Sequence, residues 1–252
     1  KAGDLPALVE LKDIRGDFHC HSNYSDGEAT LADIAAAAKK RGYSYMAVTD
    51  HSQSLHVANG LSRERLMKQL AEIDRLNAKL KGFRLLKGSE VDILPDGSLD
   101  MSEELLARLD VVYVAVHSKF KLPRAEMTAR VIRAMENPHA NILAHPTGRL
   151  IAMRDAFEID LDAVIRAAAR TLTAIEINSH PARLDLDAAN ARAAAAAGVT
   201  IAIGTDTHVL SELDNMTYGF GTARRGWLTK ANILNTRTAQ QVLAFTRSKS
   251  RH

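Results

Sequence analysis

Short apolar runs alternate with longer amphipathic segments along nearly the whole chain. The runs are rich in Val, Ile, Leu and Ala and are almost continuous in apolar character, as strands buried on both faces of a sheet require. Seven of them predict strands, namely GDFHCH, YMAVTDH, FRLLKGSEVDIL, VVYVAVHS, NILAHP, AIEINSH and TIAIGTDTH.

The amphipathic segments predict helices outside a parallel sheet. They are TLADIAAAAKKRG, SRERLMKQLAEIDRLNAKL, a short segment at 103–109, RAEMTARVIRAME, LDAVIRAAARTL, AANARAAAAAG and two closing segments at 230–235 and 238–247. Thr30 with Asp33 predicts a capping box at the start of the first helix, and Gly42 predicts its end. Because no GxGxxG motif follows the first strand, a dinucleotide-binding fold has no support.

Polar residues collect at the carboxyl ends of these predicted strands. Acidic residues do so at Glu90 and Asp206, and Asp26 lies in the loop after the first strand. Six histidines end apolar runs, at His19, His21, His51, His117, His145 and His208. In a (β/α) barrel the strand ends and the loops after them build the active site, so nine potential ligands from six strands would converge there.

The spacing of these residues favours a closed barrel over an open sheet. Residues i and i+2 of a strand point the same way, so His19 and His21 share a direction and Cys20 faces away from it. Asp206 and His208 repeat this spacing on the last strand. Only closure makes the first and last strands neighbours without rearranging the strand order. We therefore predict an α/β fold, a closed TIM-like barrel with a metal cluster at the carboxyl ends of its strands.

A single histidine after a strand is more often a hydrogen-bonded loop residue than a metal ligand. Uncorrelated loop histidines, however, would not fall at the same end of nearly every strand. Burying many imidazoles and carboxylates without a metal would also be costly. Mixed imidazole and carboxylate donors suit zinc, manganese or iron, and the sequence does not choose among them.

Composition changes this picture only slightly. The chain has 252 residues, a net charge of +3 and no low-complexity linker, so we read 1–252 as one domain with a linker remnant at 1–14 and a frayed tail at 248–252. It begins with Lys1, which suggests a piece of a longer protein. The single cysteine, Cys20, excludes an internal disulfide and fits a cytoplasmic location. No run of about 18 apolar residues predicts a membrane span.

The segments HCHSNYSDG, VTDHS, GSEVDIL, VAVHS, LAHPTGR and IGTDTH resemble the motifs of the PHP (polymerase and histidinol phosphatase) superfamily. The resemblance extends from about residue 15 to residue 243, and all nine ligand positions carry the expected residue type. DIRGDFHCHSNYSDG, EVDILPDGSLD, NPHANILAHPTGRL and EINSHPARLDL look closest to the PHP domain at the C-terminus of bacterial family X DNA polymerases.

This resemblance implies a distorted (β/α)7 barrel that carries three divalent metal ions. The first metal would be held by the catalytic set His19, His21, Glu90 and Asp206. Glu90 would bridge to a second metal, whose other ligands would be His117 and His145. The third metal would be held by Asp26, His51 and His208. Metals so placed would lower the pKa of a water toward about 7, and this water would attack the phosphorus. The sequence shows no side-chain nucleophile.

Three basic residues near strand ends are candidates for binding the substrate phosphate. Arg149 and Arg183 could each form a fork on a phosphate, or could instead pair with a rim carboxylate such as Asp185. Lys119, just after His117, is a weaker candidate. His180 has no place among the nine and is read as a rim residue.

The resemblance implies a 3′-5′ exonuclease that processes DNA 3′ ends in repair, joined to an N-terminal polymerase portion of the parent chain. A phosphomonoesterase of the histidinol phosphatase type would use the same cluster. A metal-filled scaffold without catalysis is a third alternative. An amidohydrolase barrel also opens with HxH, but there Asp26 and His51 would have no role.

Overall fold

The computed structural model describes residues 6–249, and all seven predicted runs contribute strands to one parallel sheet. The strands follow one another around the sheet in chain order. They are β1 (Gly16–Asp17), β2 (Tyr45–Val48), β3 (Arg84–Asp92), β4 (Val111–Ala115), β5 (Ile142–Leu143), β6 (Ala174–Asn178) and β7 (Ile201–Gly204). Most are shorter than the sequence predicted, because the polar residues at their ends leave the ladder.

Eight helices surround this sheet in the described part of the chain. They are α1 (Leu31–Lys40), α2 (Arg63–Asn77), α3 (Glu103–Leu106), α4 (Arg124–Met135), α5 (Leu161–Thr171), α6 (Ala188–Ala196), α7 (Met216–Arg225) and α8 (Ala239–Ser248). Helix α7 was not predicted, and the predicted helix at 230–235 is two short 3-10 turns instead. Thr30 caps α1 by accepting the Asp33 N–H, and Gly42 follows the helix end with φ of 81°. None of these helices is long and apolar enough to cross a bilayer.

Side-chain alternation along the strands separates two apolar layers. Tyr45 and Ala47 of β2 point into the barrel, whereas Met46 and Val48 pack against the outer helices. The interior layer continues through Leu86 and Tyr113, and at the amino ends of the strands it reaches Leu234 and Val242. The barrel is therefore filled with side chains and has room for polar groups only at its other end.

Hydrogen bonds at three levels join the first and last strands. At the carboxyl end, the His21 N–H donates to the Thr207 carbonyl over 2.8 Å. In the middle, the Thr205 hydroxyl donates to the Asp17 carboxylate over 2.5 Å. At the amino end, the Asn235 amide donates to the carbonyls of Gly16 and Ile203 over 2.9 and 2.8 Å. The sheet is thus closed into a barrel, as the HxH and DxH spacing predicted.

Parts of the predicted linker and of the predicted tail are packed against the barrel, while residues 1–5 and 250–252 lie outside the described part. Val9, within the predicted linker, is fully buried, and its N–H donates to the Leu228 carbonyl. Leu8 also forms a β-bridge with Thr229. Within the predicted tail, Lys249 is buried because its ammonium donates to three oxygens, among them the Ala140 carbonyl and the Thr173 hydroxyl.

Replacing Asn235 with alanine is expected to destabilise the fold by about 3 kcal/mol, since each buried group left unpaired costs about 1–3 kcal/mol. Its amide oxygen also accepts the Ile203 N–H, so three backbone groups would lose a partner. Urea unfolding measures the change. Asn232→Ala, in the neighbouring turn, is the control and should cost less than about 1 kcal/mol. Equal stabilities of the two variants would show that Asn235 does not join the seam.

Candidate metal centre

The structure brings together all nine residues that the sequence singled out. They lie on or just after six strands, at the carboxyl end of the barrel: His19, His21, Asp26, His51, Glu90, His117, His145, Asp206 and His208. Two of them, His145 and Asp206, have positive φ values of 23° and 55°. Non-glycine residues rarely adopt this conformation, which is concentrated at functional sites. The backbone turns there aim both side chains into the barrel mouth.

Glu90 is the hub of this cluster. It sits in the longest strand, β3, and points inward with the same parity as Leu86. Nitrogen atoms of five imidazoles lie between 2.9 and 3.6 Å from its two carboxylate oxygens, and these belong to His19, His21, His51, His117 and His145. One carboxylate therefore contacts groups from four other strands.

Two further carboxylates complete the cluster around His21. Asp206 Oδ1 lies 3.3 Å from Nε2 of His21 and 3.6 Å from Nε2 of His19. Asp26 faces the other side, with Oδ2 at 3.4 Å from Nε2 of His208 and at 3.6 Å from Nε2 of His51. The rings of His21 and His208 are stacked at 4.3 Å, so HxH and DxH meet across the seam.

The donor atoms fit divalent cations. In three groups they lie within 4.8 Å of one another: His21, Asp26, His51 and His208; His19, His21 and Asp206; and His51, Glu90 and His117. Four buried imidazole nitrogens have no hydrogen-bond partner, namely Nε2 of His19, Nδ1 of His51 and both nitrogens of His21. Buried polar atoms normally have a hydrogen-bond partner or a bound ion, and imidazole nitrogens are common ligands of divalent cations. These nitrogens are therefore positioned to bind cations.

Opposite charges keep the acids of the cluster ionised. Burial alone would raise the pKa of Glu90, but the charges of His19 and His117 hold that pKa well below its usual range. Burial likewise opposes ionisation of Asp206, whose pKa His19 and Arg183 lower well below its usual range. Glu90 and Asp92 raise the pKa of His117 against its burial, to about 9. The cluster is built to surround positive charge.

Two carboxylates that sequence reasoning did not single out lie behind the imidazoles. Glu176 is fully buried, with Oε1 at 2.7 Å from Nδ1 of His19, and its other oxygen accepts the His145 N–H over 2.7 Å. Asp92 Oδ1 is 2.5 Å from Nδ1 of His117. With Nδ1 held in this way, Nε2 of each ring is directed into the cluster, the arrangement that orients histidine ligands in metal sites.

A faint signal for Glu176 exists in the sequence. In AIEIN the residues Ile175 and Ile177 face the outer helices, which leaves Ala174, Glu176 and Asn178 facing inward. An acid at an inward position of a buried strand needs a partner. The pattern of polar residues at strand ends does not include this acid, because it lies in the middle of its strand.

Asp50 orders the loop that carries Asp26. It is buried and accepts the N–H of Ser22 over 2.8 Å, the hydroxyl of Ser22 over 2.6 Å and the N–H of Ser25 over 3.1 Å. Gln69 of α2 donates to the same carboxylate. The loop after β1 is thereby folded back over the mouth, which places Asp26 opposite His208.

The three candidate phosphate contacts differ in their surroundings. Arg183 pairs with Asp206 rather than Asp185, through Nε at 2.9 Å, and its Nη1 is buried without a partner. Asp185 is instead occupied by the N–H groups of Thr147 and Gly148.

Arg149 and Lys119 are not directed at the cluster in the same way. Arg149 donates to the carbonyls of Arg183 and Leu184, which fastens one rim loop to the next. Lys119 is exposed. His180 is at the rim, 3.6 Å from Glu212.

A (β/α)7 barrel with a buried imidazole–carboxylate cluster at its carboxyl rim is an arrangement that metal-dependent hydrolases use. Comparison with known families narrows this class. The PHP domain model matches residues 17–180, and the chain belongs to this family.

Individual relatives are of two kinds. DNA polymerase/3′-5′ exonuclease PolX of Bacillus subtilis is 49% identical over 242 residues, which cover 96% of this chain and 42% of that protein. The chain thus spans less than half the length of this relative. A protein of Thermoanaerobacter sp. named "Probable phosphatase" is 29% identical, over 87% of this chain and 89% of its own length.

Among solved structures, histidinol phosphate phosphatase of Lactococcus lactis, in complex with zinc, L-histidinol and phosphate, superimposes with a TM-score of 0.61. It is 18% identical, and the match covers 83% of this chain and 93% of that one. At this identity the likeness concerns the fold alone.

Replacing Glu176 with glutamine is expected to weaken divalent-metal binding about 10–100-fold, as loss of a carboxylate behind a ligand histidine does. The amide keeps the volume but not the charge that orients His19. Competition between the protein and a chelator for Mn²⁺ or Zn²⁺ measures the affinity. Glu136→Gln is the control, because Glu136 forms an exposed pair with Arg170 away from the cluster. Unchanged affinity in a folded Glu176→Gln protein would contradict the positioning role.

Proposed function

We propose that the chain is a metal-dependent 3′-5′ exonuclease that trims DNA 3′ ends in repair, as part of a family X DNA polymerase. The observation that carries this proposal is its 49% identity, over 96% of its length, to a protein named for both activities. The cluster supplies the chemistry that such a reaction needs, and its rim carries the arginine that would meet the phosphate.

The ligand roles proposed for the nine residues follow the family pattern. The first metal is assigned to His19, His21, Glu90 and Asp206, the second to Glu90, His117 and His145, and the third to Asp26, His51 and His208. The distances around Glu90 support its place between the first two groups. When bound, divalent cations lower the pKa of water and neutralise charge on the phosphoryl oxygens. The donor set accommodates manganese, zinc or iron.

Within this proposal the protein itself does three things. Glu176 and Asp92 fix the ring orientations of His19 and His117. Asp206 holds the Arg183 guanidinium at the cluster, where its unpartnered Nη1 can donate to a phosphate oxygen. A planar guanidinium binds phosphate through parallel hydrogen bonds, and burial strengthens them. Arg149 acts indirectly, since it fastens the loop that carries Arg183.

The B. subtilis relative supports a tethered enzyme. The matched region covers 42% of that protein, whose name includes a polymerase. We propose that residues 1–252 form a single PHP domain that works beside a polymerase portion, which would present 3′ ends to the cluster.

A phosphomonoesterase is the second candidate. The Thermoanaerobacter relative named "Probable phosphatase" matches over nearly its full length, so the same barrel and cluster accompany that name. The two candidates share their ligands, and the loops around the mouth distinguish them.

Replacing Asp206 or His19 with alanine is expected to reduce hydrolysis by more than about 100-fold, since loss of a residue behind a ligand already costs 10–100-fold. Both variants are assayed with added Mn²⁺ on a 3′-recessed duplex, a single strand, histidinol phosphate and p-nitrophenyl phosphate. Undiminished hydrolysis would exclude the cluster as the catalyst. A wild-type preference for histidinol phosphate over both oligonucleotides would favour the phosphomonoesterase.

Replacing Arg183 with alanine is expected to lower kcat/KM on DNA by about 10–100-fold, which corresponds to loss of a charged hydrogen bond of about 1.5–3 kcal/mol. Arg183→Lys keeps the charge but not the fork, and should recover only part of the loss. Arg63→Ala is the control, because Arg63 forms an exposed pair with Glu104 away from the cluster. Equal kcat/KM in Arg183→Ala and the control would show that Arg183 does not contact the phosphate.

A further inference from the structure

A small hairpin with an apolar tip stands in the loop between β5 and α5. Leu150 and Arg154 exchange backbone hydrogen bonds of 2.8 Å, and Ala152 turns the chain between them with φ of 62°. The two residues that flank this turn are exposed, Ile151 to 46% and Met153 to 79%. Two large apolar side chains therefore project together from the tip.

The hairpin is braced at its base. The Arg154 guanidinium donates to the Gly148 carbonyl through Nε and Nη2, over 3.0 and 2.7 Å. The same guanidinium lies 4.1 Å above the Phe120 ring, in the loop after β4. The tip is thus held in place from two sides, which keeps its exposed apolar side chains in a fixed position.

The tip adjoins the residue proposed to bind the phosphate. The Ile151 N–H donates to the Ala182 carbonyl over 2.6 Å, one residue before Arg183. The Arg149 Nε donates to the Arg183 carbonyl over 2.7 Å. Because Arg183 contacts Asp206, a chain of direct contacts leads from the tip to the cluster.

The charge around the tip selects an anionic partner. Segments 118–123 and 147–154 contain four basic residues and no acid, and the first acidic residues that follow them are Glu126 and Asp155, respectively. The basic residues are Lys119, Lys121, Arg149 and Arg154. An apolar tip within a basic rim complements the end of a nucleic-acid duplex, where a bare base-pair face is bordered by phosphates.

A tip of this kind would help a DNA 3′ end to reach the cluster. His19 and Glu90 are at most 1% exposed, so this part of the cluster is recessed in the barrel mouth, and a 3′ nucleotide released from its partner would reach it more readily than one held in a duplex. A cavity of about 420 Å³ lies against the hairpin, lined by residues 149–156, and offers space beside the tip for an unstacked base.

We propose that Ile151 and Met153 form a wedge that packs on the terminal base pair and separates the 3′ nucleotide from its partner. The inference rests on the proposed exonuclease function and extends it to paired ends. Apolar side chains such as Ile and Met partially unstack bases when they insert between base steps in other DNA-binding proteins. The released strand then passes Arg183 on its way to the cluster.

The test is the double variant Ile151→Ser, Met153→Ser, in the Mn²⁺-loaded protein. Three substrates are compared: a blunt duplex, its single strand, and the same duplex with a mismatched 3′ nucleotide. We expect about tenfold slower digestion of the paired blunt end, and changes within about twofold on the single strand and the mismatch, because unstacking costs a few kcal/mol and least at a mismatch. Leu11→Ser is the matched control, since Leu11 is also 46% exposed but precedes β1 at the opposite end of the barrel.

Two results would overturn the wedge while leaving the exonuclease in place. Equal losses on all three substrates would indicate general DNA binding by the tip. Unchanged rates on all three would assign the tip to another surface, such as a protein partner. Failure of the wild-type protein to digest any of them would instead remove the proposed exonuclease, and the wedge with it.

Discussion

The seam between the first and last strands is the constraint on which the rest of the structure depends. Neither β1, with two residues, nor β7, with four, offers a long ladder for closing the sheet. Side-chain hydrogen bonds also join the two strands, through Asn235 at the amino end and Asp17 in the middle. Closure brings His21 against His208, and without it the donors of the first and last strands would belong to different edges of a sheet.

A buried cluster of acids and imidazoles is costly unless its charges are balanced. Glu90 contacts five imidazole rings, while Glu176 and Asp92 hold two of those rings from behind. Both ring nitrogens of His21 lack a hydrogen-bond partner, so the protein's own groups do not satisfy every buried polar atom of the cluster. Cations at these positions would stabilise the folded state as well as serve the reaction, because a ligand that binds only the native state adds to its stability.

The sequence predicted the barrel and the nine candidate residues because both depend on local patterns. An apolar run followed by a polar residue fixes a strand and its end, and i, i+2 spacing fixes direction. The role of Glu176 depends on its contact with His19, which is 157 positions away in the chain, and a local sequence pattern does not show such a contact. Helix α7 was not predicted because Gly219 and Gly221 interrupt the amphipathic pattern of its sequence. The reason for Gly219 is tertiary, since the helix lies so close to Ser179 there that a side chain would not fit.

Substrate choice falls to the loops, since an exonuclease and a phosphatase of this family would share the cluster. Here one hydrogen bond connects the proposed site for the base with the proposed site for the phosphate. Arg149 joins the hairpin that carries Ile151 to the backbone of Arg183. A base that packs on the tip would fix where its phosphate meets the guanidinium. Such coupling has no use for a small monoester, which offers no base pair to open. In the proposed exonuclease, the braced hairpin would therefore serve a polymeric substrate and have no role with a small monoester.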